Sequence, residues 1–146
     1  MIVKIFKVVW LLSLMATLAV FLYVYASLPE ELLVTGGEQA ISLTRNGLFY
    51  TTLLILTLFN ALVLTFSRLY RQTNELFVAW FYGLVAFLHL FLIVALQFFS
   101  LYNSQENFDY SRLGVIIYTS ISLVVIWFLM WPIYFAYTRI FSKPAI

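Results

Sequence analysis

His89 is the one titratable acid or base near the middle of the long apolar stretches of this sequence. The chain has one histidine and no cysteine, and no aspartate or glutamate lies inside those stretches. An imidazole can exchange a proton, contact a quinone, bind haem iron or share hydrogen bonds with neighbouring helices. A proton path across a membrane needs more than one titratable group. The sequence therefore favours a hydrogen-bonding role for His89 over a proton relay.

Other polar side chains lie deep in the apolar stretches and are predicted to pack between helices. A polar group buried without a hydrogen-bond partner costs free energy, so each should face protein and not lipid. His89 itself shares a helical face with small and polar residues, from Ala79 to Gln97, at intervals of three or four. The predicted helix-packing polar residues are Asn60, His89, Thr17, Thr57 and Ser122. The three hydroxyl residues in this set lie at similar depth to His89 and are its predicted partners.

Two cofactor roles for His89 stay open as alternatives, a ligand to haem or a contact with a quinone. Haem held by two histidines needs a second histidine, which the chain lacks, although Met15 or Met130 could supply another axial ligand. Methionine in a membrane helix is usually apolar filler. The sequence also contains no glycine-rich nucleotide loop, HExxH zinc motif or serine elbow. We therefore predict no enzymatic activity, no catalytic residue, no metal site and no bound cofactor.

Four apolar stretches position these residues along the chain. They cover residues 4–26, 48–67, 76–99 and 113–137. Each approaches or exceeds the roughly 20 residues that an apolar helix needs to cross a bilayer core. Two outer loops, 27–47 and 100–112, and a turn at 68–75 connect them, and short connections join antiparallel neighbours. The predicted fold class is all-α: one transmembrane domain, residues 1–146, forming an antiparallel up-down-up-down four-helix bundle.

The composition indicates a lipid environment. Hydrophobic residues make up 64% of the 146 residues and charged residues 10%, against about 25% charged in a typical soluble domain. A chain of this size cannot bury so much apolar surface within itself, so we expect the lipid bilayer to cover the excess. The net charge of +2 comes from scattered basic residues, which argues against a nucleic-acid partner.

The basic residues predict an orientation in the membrane. On one side of the four-span arrangement lie Lys4, Lys7, Arg68, Arg71, Arg139 and Lys143, and on the other lie Arg45 and Arg112. The positive-inside rule then puts both termini in the cytoplasm. All four tryptophans fall in the cytoplasmic halves of their spans, where interfacial aromatic residues are expected. We predict a multi-pass protein of the inner (plasma) membrane.

The first loop carries a short pattern that is similar to a known family. The residues concerned are Leu28-Pro29, Gly36-Gly37, Ser42, Arg45 and Phe49. They resemble the outline of the SdpI-like family of small bacterial inner-membrane proteins, although the second proline and loop histidine of that family are absent. The resemblance implies a four-helix inner-membrane protein with an immunity, signalling or unknown role. No enzymatic site is implied by it.

The remaining features favour a structural role over catalysis. The chain has 29 aromatic residues (4 Trp, 10 Tyr and 15 Phe) and few internal polar groups. Such surfaces suit packing against lipid and other subunits. We expect a non-catalytic accessory, structural or regulatory subunit of a larger inner-membrane complex, with other integral membrane subunits as partners. The alternatives are a haem- or quinone-associated subunit that uses His89, and a free-standing immunity or signalling protein.

Overall fold

The computed structural model describes residues 1–33, 42–70, 72–104 and 110–141, without the side chains of residues 110–113. The described residues form four long helices and one pair of short strands. In chain order these are α1 (Ile2–Ser27), β1 (Glu31–Leu33), β2 (Ser42–Thr44), α2 (Arg45–Tyr70), α3 (Glu75–Tyr102) and α4 (Tyr110–Phe141). All four helices are long and apolar enough to cross a membrane, which confirms the expectation of four apolar helices.

The helices extend past the predicted apolar stretches by about one turn or less. Local capping groups account for two of the starts. The Thr44 hydroxyl accepts a hydrogen bond from the Gly47 amide at 3.0 Å, at the start of α2. The Asn74 side chain accepts one from the Phe77 amide at 3.0 Å, at the start of α3. A side-chain oxygen at the N-cap satisfies a backbone donor that has no partner within the helix.

Helix α3 is the central element, and α1 lies beside it in the same direction. Trp10 of α1 contacts Tyr82, with ring centroids 5.4 Å apart. About two helical turns further along, the hydroxyl of Thr17 lies 3.4 Å from the carbonyl oxygen of His89. Both contacts join residues that are 72 positions apart, and a constant offset means that the two helices run parallel.

Helices α2 and α4 run in the opposite direction to α3. Asn60 of α2 contacts His89, whereas Phe66, later in α2, packs on Phe81, which is earlier in α3. In α4, Trp127 contacts Trp80, and the later residue Trp131 contacts Phe77.

The buried positions of α3 are Val78, Ala79, Tyr82, Gly83, Leu84, Val85, Ala86, His89 and Leu96. None of the described side chains of α4 is buried, so α4 lies on the outside of the α1–α2–α3 group.

Two apolar clusters fill the space between α1, α2 and α3. The first lies near the strand pair and consists of Phe21, Val24, Leu28, Leu32, Leu48 and Leu96. The second lies near the N-terminus and consists of Trp10, Val63, Val78, Tyr82 and Val85. His89 and Thr17, both fully buried, lie between the two clusters along the helix axes. The interior therefore has a polar layer around His89, with apolar packing on either side of it.

The first loop is more ordered than its sequence suggests at the residues next to the helices. Strands β1 and β2 pair antiparallel with Leu32 opposite Leu43. Leu32 is fully buried in the cluster near the strands, while Leu33 is half exposed. The Asn103 side chain accepts from the Leu33 amide at 2.7 Å and donates to its carbonyl at 3.3 Å, as a neighbouring strand would. The strand pair is thereby hydrogen-bonded to Asn103 at the end of α3.

Candidate functional site

The polar layer is built around the His89 ring, which is fully buried. Ser13 of α1 places its hydroxyl oxygen 3.0 Å from His89 Nδ1. Asn60 of α2 places its amide nitrogen 3.3 Å from His89 Nε2. Both ring nitrogens therefore have protein partners, and the three central residues come from three different helices.

The orientation of the Asn60 amide follows from its other two partners. The Trp10 indole, which can only donate, lies 2.9 Å from Asn60 Oδ1. The Leu56 carbonyl, which can only accept, lies 2.7 Å from Asn60 Nδ2. The oxygen and nitrogen of the amide are thus distinguished by chemistry, and the second hydrogen on Nδ2 is directed to His89. Asn60 is a donor to the ring.

The tautomer of His89 follows in turn. Nε2 must accept the hydrogen bond from Asn60, so the neutral ring carries its proton on Nδ1. Nδ1 donates to Ser13 Oγ, and the Ser13 hydroxyl donates to the Trp10 carbonyl at 2.8 Å. Each donated hydrogen in the chain from Trp10 through Asn60, His89 and Ser13 has one acceptor. A ring protonated on both nitrogens would point Nε2–H at the amide hydrogens of Asn60.

Thr17 is the third residue of α1 in the polar layer, after Trp10 and Ser13. Its side chain is fully buried and donates to the carbonyl of Ser13 at 2.7 Å. The same hydroxyl also lies 3.4 Å from the His89 carbonyl oxygen. A small hydroxyl residue bonded to its own helix allows the backbones of α1 and α3 to approach closely, as is common between membrane helices.

The structure brings three of the predicted packing residues together and leaves two outside. His89, Asn60 and Thr17 lie in the polar layer, whereas the side chains of Thr57 and Ser122 are exposed. The predicted pairing of His89 with these two residues is not observed. Thr57 follows the buried Leu56 and is turned by about 100° from it around the helix axis, away from α3. Ser122 lies on α4, which does not reach the layer.

Trp10 and Ser13 also belong to the layer, and for Trp10 the sequence pattern indicates another role. Trp10 is predicted as an interfacial aromatic residue, yet it is buried and its indole reaches Asn60. The signal that could have identified both residues is their spacing, since positions 10, 13 and 17 share one helical face. That spacing could not reveal which neighbouring helix the face contacts.

Two tryptophans form a second polar contact, between α3 and α4. The Trp80 indole donates to the Trp127 carbonyl at 2.8 Å, and the Trp127 indole donates to the Trp80 carbonyl at 3.0 Å. Beside them Gly83 leaves room for the Trp127 ring, because a Cβ on Gly83 would lie 2.5 Å from Trp127 Cζ2. This reciprocal pair attaches α4 to the central helix.

Both ring nitrogens of His89, at the centre of the layer, are already hydrogen-bonded to protein groups. The lone pair of His89 Nε2 accepts from Asn60, so a ligand at this nitrogen would have to displace that bond. Within the described part of the chain, no three His, Cys, Asp or Glu side chains come together as a metal site would require. Comparison of the chain with protein-family models, with curated proteins and with solved structures gives no match.

Proposed function

We propose that the protein is a small, non-catalytic subunit of a larger inner-membrane assembly, and that the groove between α3 and α4 receives a transmembrane helix of a partner subunit. The observation that carries this proposal is Gln97. Its side chain borders that groove, and its amide makes no hydrogen bond with the described residues. An amide in an apolar setting is costly unless it is paired, and a polar residue on a neighbouring helix can supply the pair.

The groove runs along the halves of α3 and α4 that lie away from the N-terminus. It consists of two adjoining cavities of about 350 and 210 Å³. Its walls are Phe87, Leu90, Ile93, Val94, Gln97, Phe98, Val115, Ile116, Ile117, Thr119, Ser120 and Leu123. Thr119 and Ser120 bond to carbonyls of their own helix, at 2.7 and 2.8 Å, and present small surfaces. Small residues beside an apolar groove suit close approach of another helix.

The closed polar layer supports a packing role over a cofactor role for His89. Haem ligation at Nε2 would remove the Asn60 hydrogen bond and break the chain of donors that joins three helices. A haem- or quinone-associated role for His89 would thus require loss of the hydrogen bond between Asn60 and His89. The purified protein is expected to be colourless, without the Soret band that haem ligation produces.

The charge distribution supports the proposed orientation, with both termini in the cytoplasm. Lys4, Lys7 and Arg68 border one cavity at the end where α1 starts and α2 ends. Ile2 and Tyr134 border another cavity, so the second half of α4 with Arg139 lies at this same end. Arg45 lies at the start of α2, at the opposite end. Arg71 and Lys143 lie outside the described residues. The excess of cations at one end favours the cytoplasmic side for that end.

Photocrosslinking in native membranes tests the proposed partner. A photoreactive amino acid at Ile116, in the groove, should form a crosslink to another integral membrane protein, which mass spectrometry then identifies. The matched control is Leu54 on α2, which is 69% exposed and lies outside the groove. The control position should crosslink to lipid alone. Extraction in the mildest detergent should co-purify the same partner, and Gln97→Leu should reduce its recovery.

The opposite result would be a protein that stays alone. Extraction as a monomer or homo-oligomer, with lipid as the sole crosslinked species at Ile116, would contradict the accessory-subunit proposal. That outcome would favour a free-standing membrane protein, as the first-loop resemblance implies. Gly36 and Gly37 of that pattern lie outside the described residues.

A further inference from the structure

A cavity of about 550 Å³ opens between α1, α2 and α3 at the end where the chain starts. Its wall is formed by Val3, Lys4, Lys7, Leu64, Ser67, Arg68, Val78 and Tyr82. Three of these residues are cations and none is an acid. The remaining wall is largely apolar, so the cavity presents positive charge beside a surface that suits hydrocarbon.

The three cations have no anionic partner in the described part of the chain. Lys4, Lys7 and Arg68 form no ion pair with any described residue. Lysine and arginine at the end of a membrane helix commonly extend into the headgroup region. Here residues from two helices, more than sixty positions apart in sequence, border one cavity. Like charges around a shared space repel one another, and a bound anion would remove that repulsion.

Tyr82 supplies an independent observation at the same cavity. The residue is 4% exposed, and its ring packs on Trp10 with centroids 5.4 Å apart. Its hydroxyl makes no hydrogen bond with the described residues, although the side chain borders the cavity. A tyrosine whose ring is buried usually has a partner for its hydroxyl. An acceptor oxygen within the cavity would provide one.

We infer that this cavity binds the phosphate headgroup of an anionic phospholipid. Lys4, Lys7 and Arg68 neutralise the phosphate, and the Tyr82 hydroxyl donates to one of its oxygens. Val3, Leu64 and Val78 face the glycerol and the first carbons of the acyl chains. Basic pockets between membrane helices are a recurrent way of binding anionic headgroups. A lipid fits better than a soluble anion because the wall combines charge with apolar surface at the end of the spans.

Lipid titration of the full-length protein in neutral detergent tests the inference, with binding followed by native mass spectrometry. Phosphatidylglycerol should bind more tightly than phosphatidylcholine. Lys7→Gln and Arg68→Gln should each weaken phosphatidylglycerol binding about fivefold, as expected for the loss of one cation near a headgroup. Arg139→Gln is the matched control, because it removes one positive charge at the same end of the molecule but outside the cavity. It should change binding less than about twofold.

Tyr82→Phe separates the cavity from general surface charge. This variant keeps the ring that packs on Trp10 and removes the hydroxyl alone, so it should weaken lipid binding about two- to fivefold with unchanged folding. Equal binding of the two lipids, equal losses in Arg139→Gln and Arg68→Gln, or unchanged binding in Tyr82→Phe would each overturn the assignment. Inorganic phosphate at the lipid concentration should not displace the lipid. Full displacement would point to a free-phosphate site and overturn the assignment to a lipid.

Discussion

The imidazole of His89 acts as an acceptor on one side and a donor on the other. Nε2 accepts from Asn60 on α2, and Nδ1 donates to Ser13 on α1. A serine or threonine at this position could not span both partners, because a hydroxyl has one atom for both roles. The two nitrogens of the ring are separated, so the side chain can connect two helices at once. The histidine thereby joins α1, α2 and α3.

Substitution of His89 tests this role at the residue scale. His89→Gln should be tolerated, with a loss of less than about 1 kcal/mol in the free energy of unfolding, because glutamine also offers an acceptor and a donor. His89→Leu should cost about 1–3 kcal/mol, because Asn60 and Ser13 would each lose their buried partner. Reversible unfolding in mixed micelles measures both variants against the parent protein.

Stability equal to that of the parent protein in both variants would contradict a hydrogen-bonding role for the ring. Loss of stability in both would indicate that the ring shape itself is required for packing. Trp10→Phe provides a related comparison, since it keeps an aromatic ring and removes the donor to Asn60. The Asn60 oxygen would then lack its indole partner.

At the scale of elements, α4 is attached to the rest of the molecule through aromatic side chains. Trp80 and Trp127 exchange indole-to-carbonyl hydrogen bonds, and Trp127 also packs on Phe87 at 5.1 Å and Phe6 at 5.7 Å between centroids. Gly83 allows this contact because it has no Cβ. The attachment is local to one half of α4. The other half stands beside the groove that we propose for a partner helix.

Gly83→Ala should loosen α4 from α3. The new Cβ would lie 2.5 Å from Trp127 Cζ2, so the indole must move and its hydrogen bond to Trp80 weakens. We expect a loss of about 1–3 kcal/mol in the free energy of unfolding, as for overpacking elsewhere. Unfolding in mixed micelles gives the stability, and near-ultraviolet circular dichroism reports the change in the tryptophan environment.

Gly114→Ala is the matched control on α4. Among the side chains that the structure describes, the nearest atom to a Cβ at Gly114 would be Tyr118 Cε2 at 4.0 Å. Alanine is favoured over glycine in a helix by about 1 kcal/mol, so this variant should be neutral or slightly more stable. A neutral result for Gly83→Ala alongside it would contradict the tight contact with Trp127.

At the scale of the whole molecule, positive charge gathers where the chain starts. One cavity at that end is bordered by Lys4, Lys7 and Arg68. Arg139 lies in the last turn of α4, at the same end. At the other end Arg45 has a more enclosed setting. It donates to the Leu28 carbonyl at 3.3 Å and lies over the Tyr25 ring at 5.3 Å from its centroid. The two ends of the molecule therefore differ in charge and in how that charge is held.

Reporter fusions test the resulting orientation. An enzyme reporter that is active only outside the cytoplasm should give a signal when inserted at Gly37 and none when fused to the C-terminus. The positive-inside rule provides the reason, since the cation-rich end is retained on the cytoplasmic side. Equal signals from the two fusions would contradict the proposed four-span topology. Reversed signals would leave four spans but contradict the orientation.

Composition along the chain was sufficient to predict the four apolar helices. Insertion into lipid depends on the summed apolarity of about 20 consecutive residues, which is a local property. That His89 and Asn60 face neighbouring helices was also predictable, because a polar group at that depth must face protein. Their partners were not. Depth along the helix axis can be counted from the sequence, but the rotation of each helix about its axis is set by packing with its neighbours.

Only the tertiary structure decided which residues meet. Rotation of α1 brings Ser13 and Trp10 to the layer, while rotation of α2 turns Thr57 outward. The position of α4 outside the other three helices leaves Ser122 exposed. Leu32 is buried because the strand pair folds back on the helix ends, which three-residue strands do not reveal by periodicity. Each of these outcomes depends on contacts between distant parts of the chain, and sequence spacing within one helix carries no information about them.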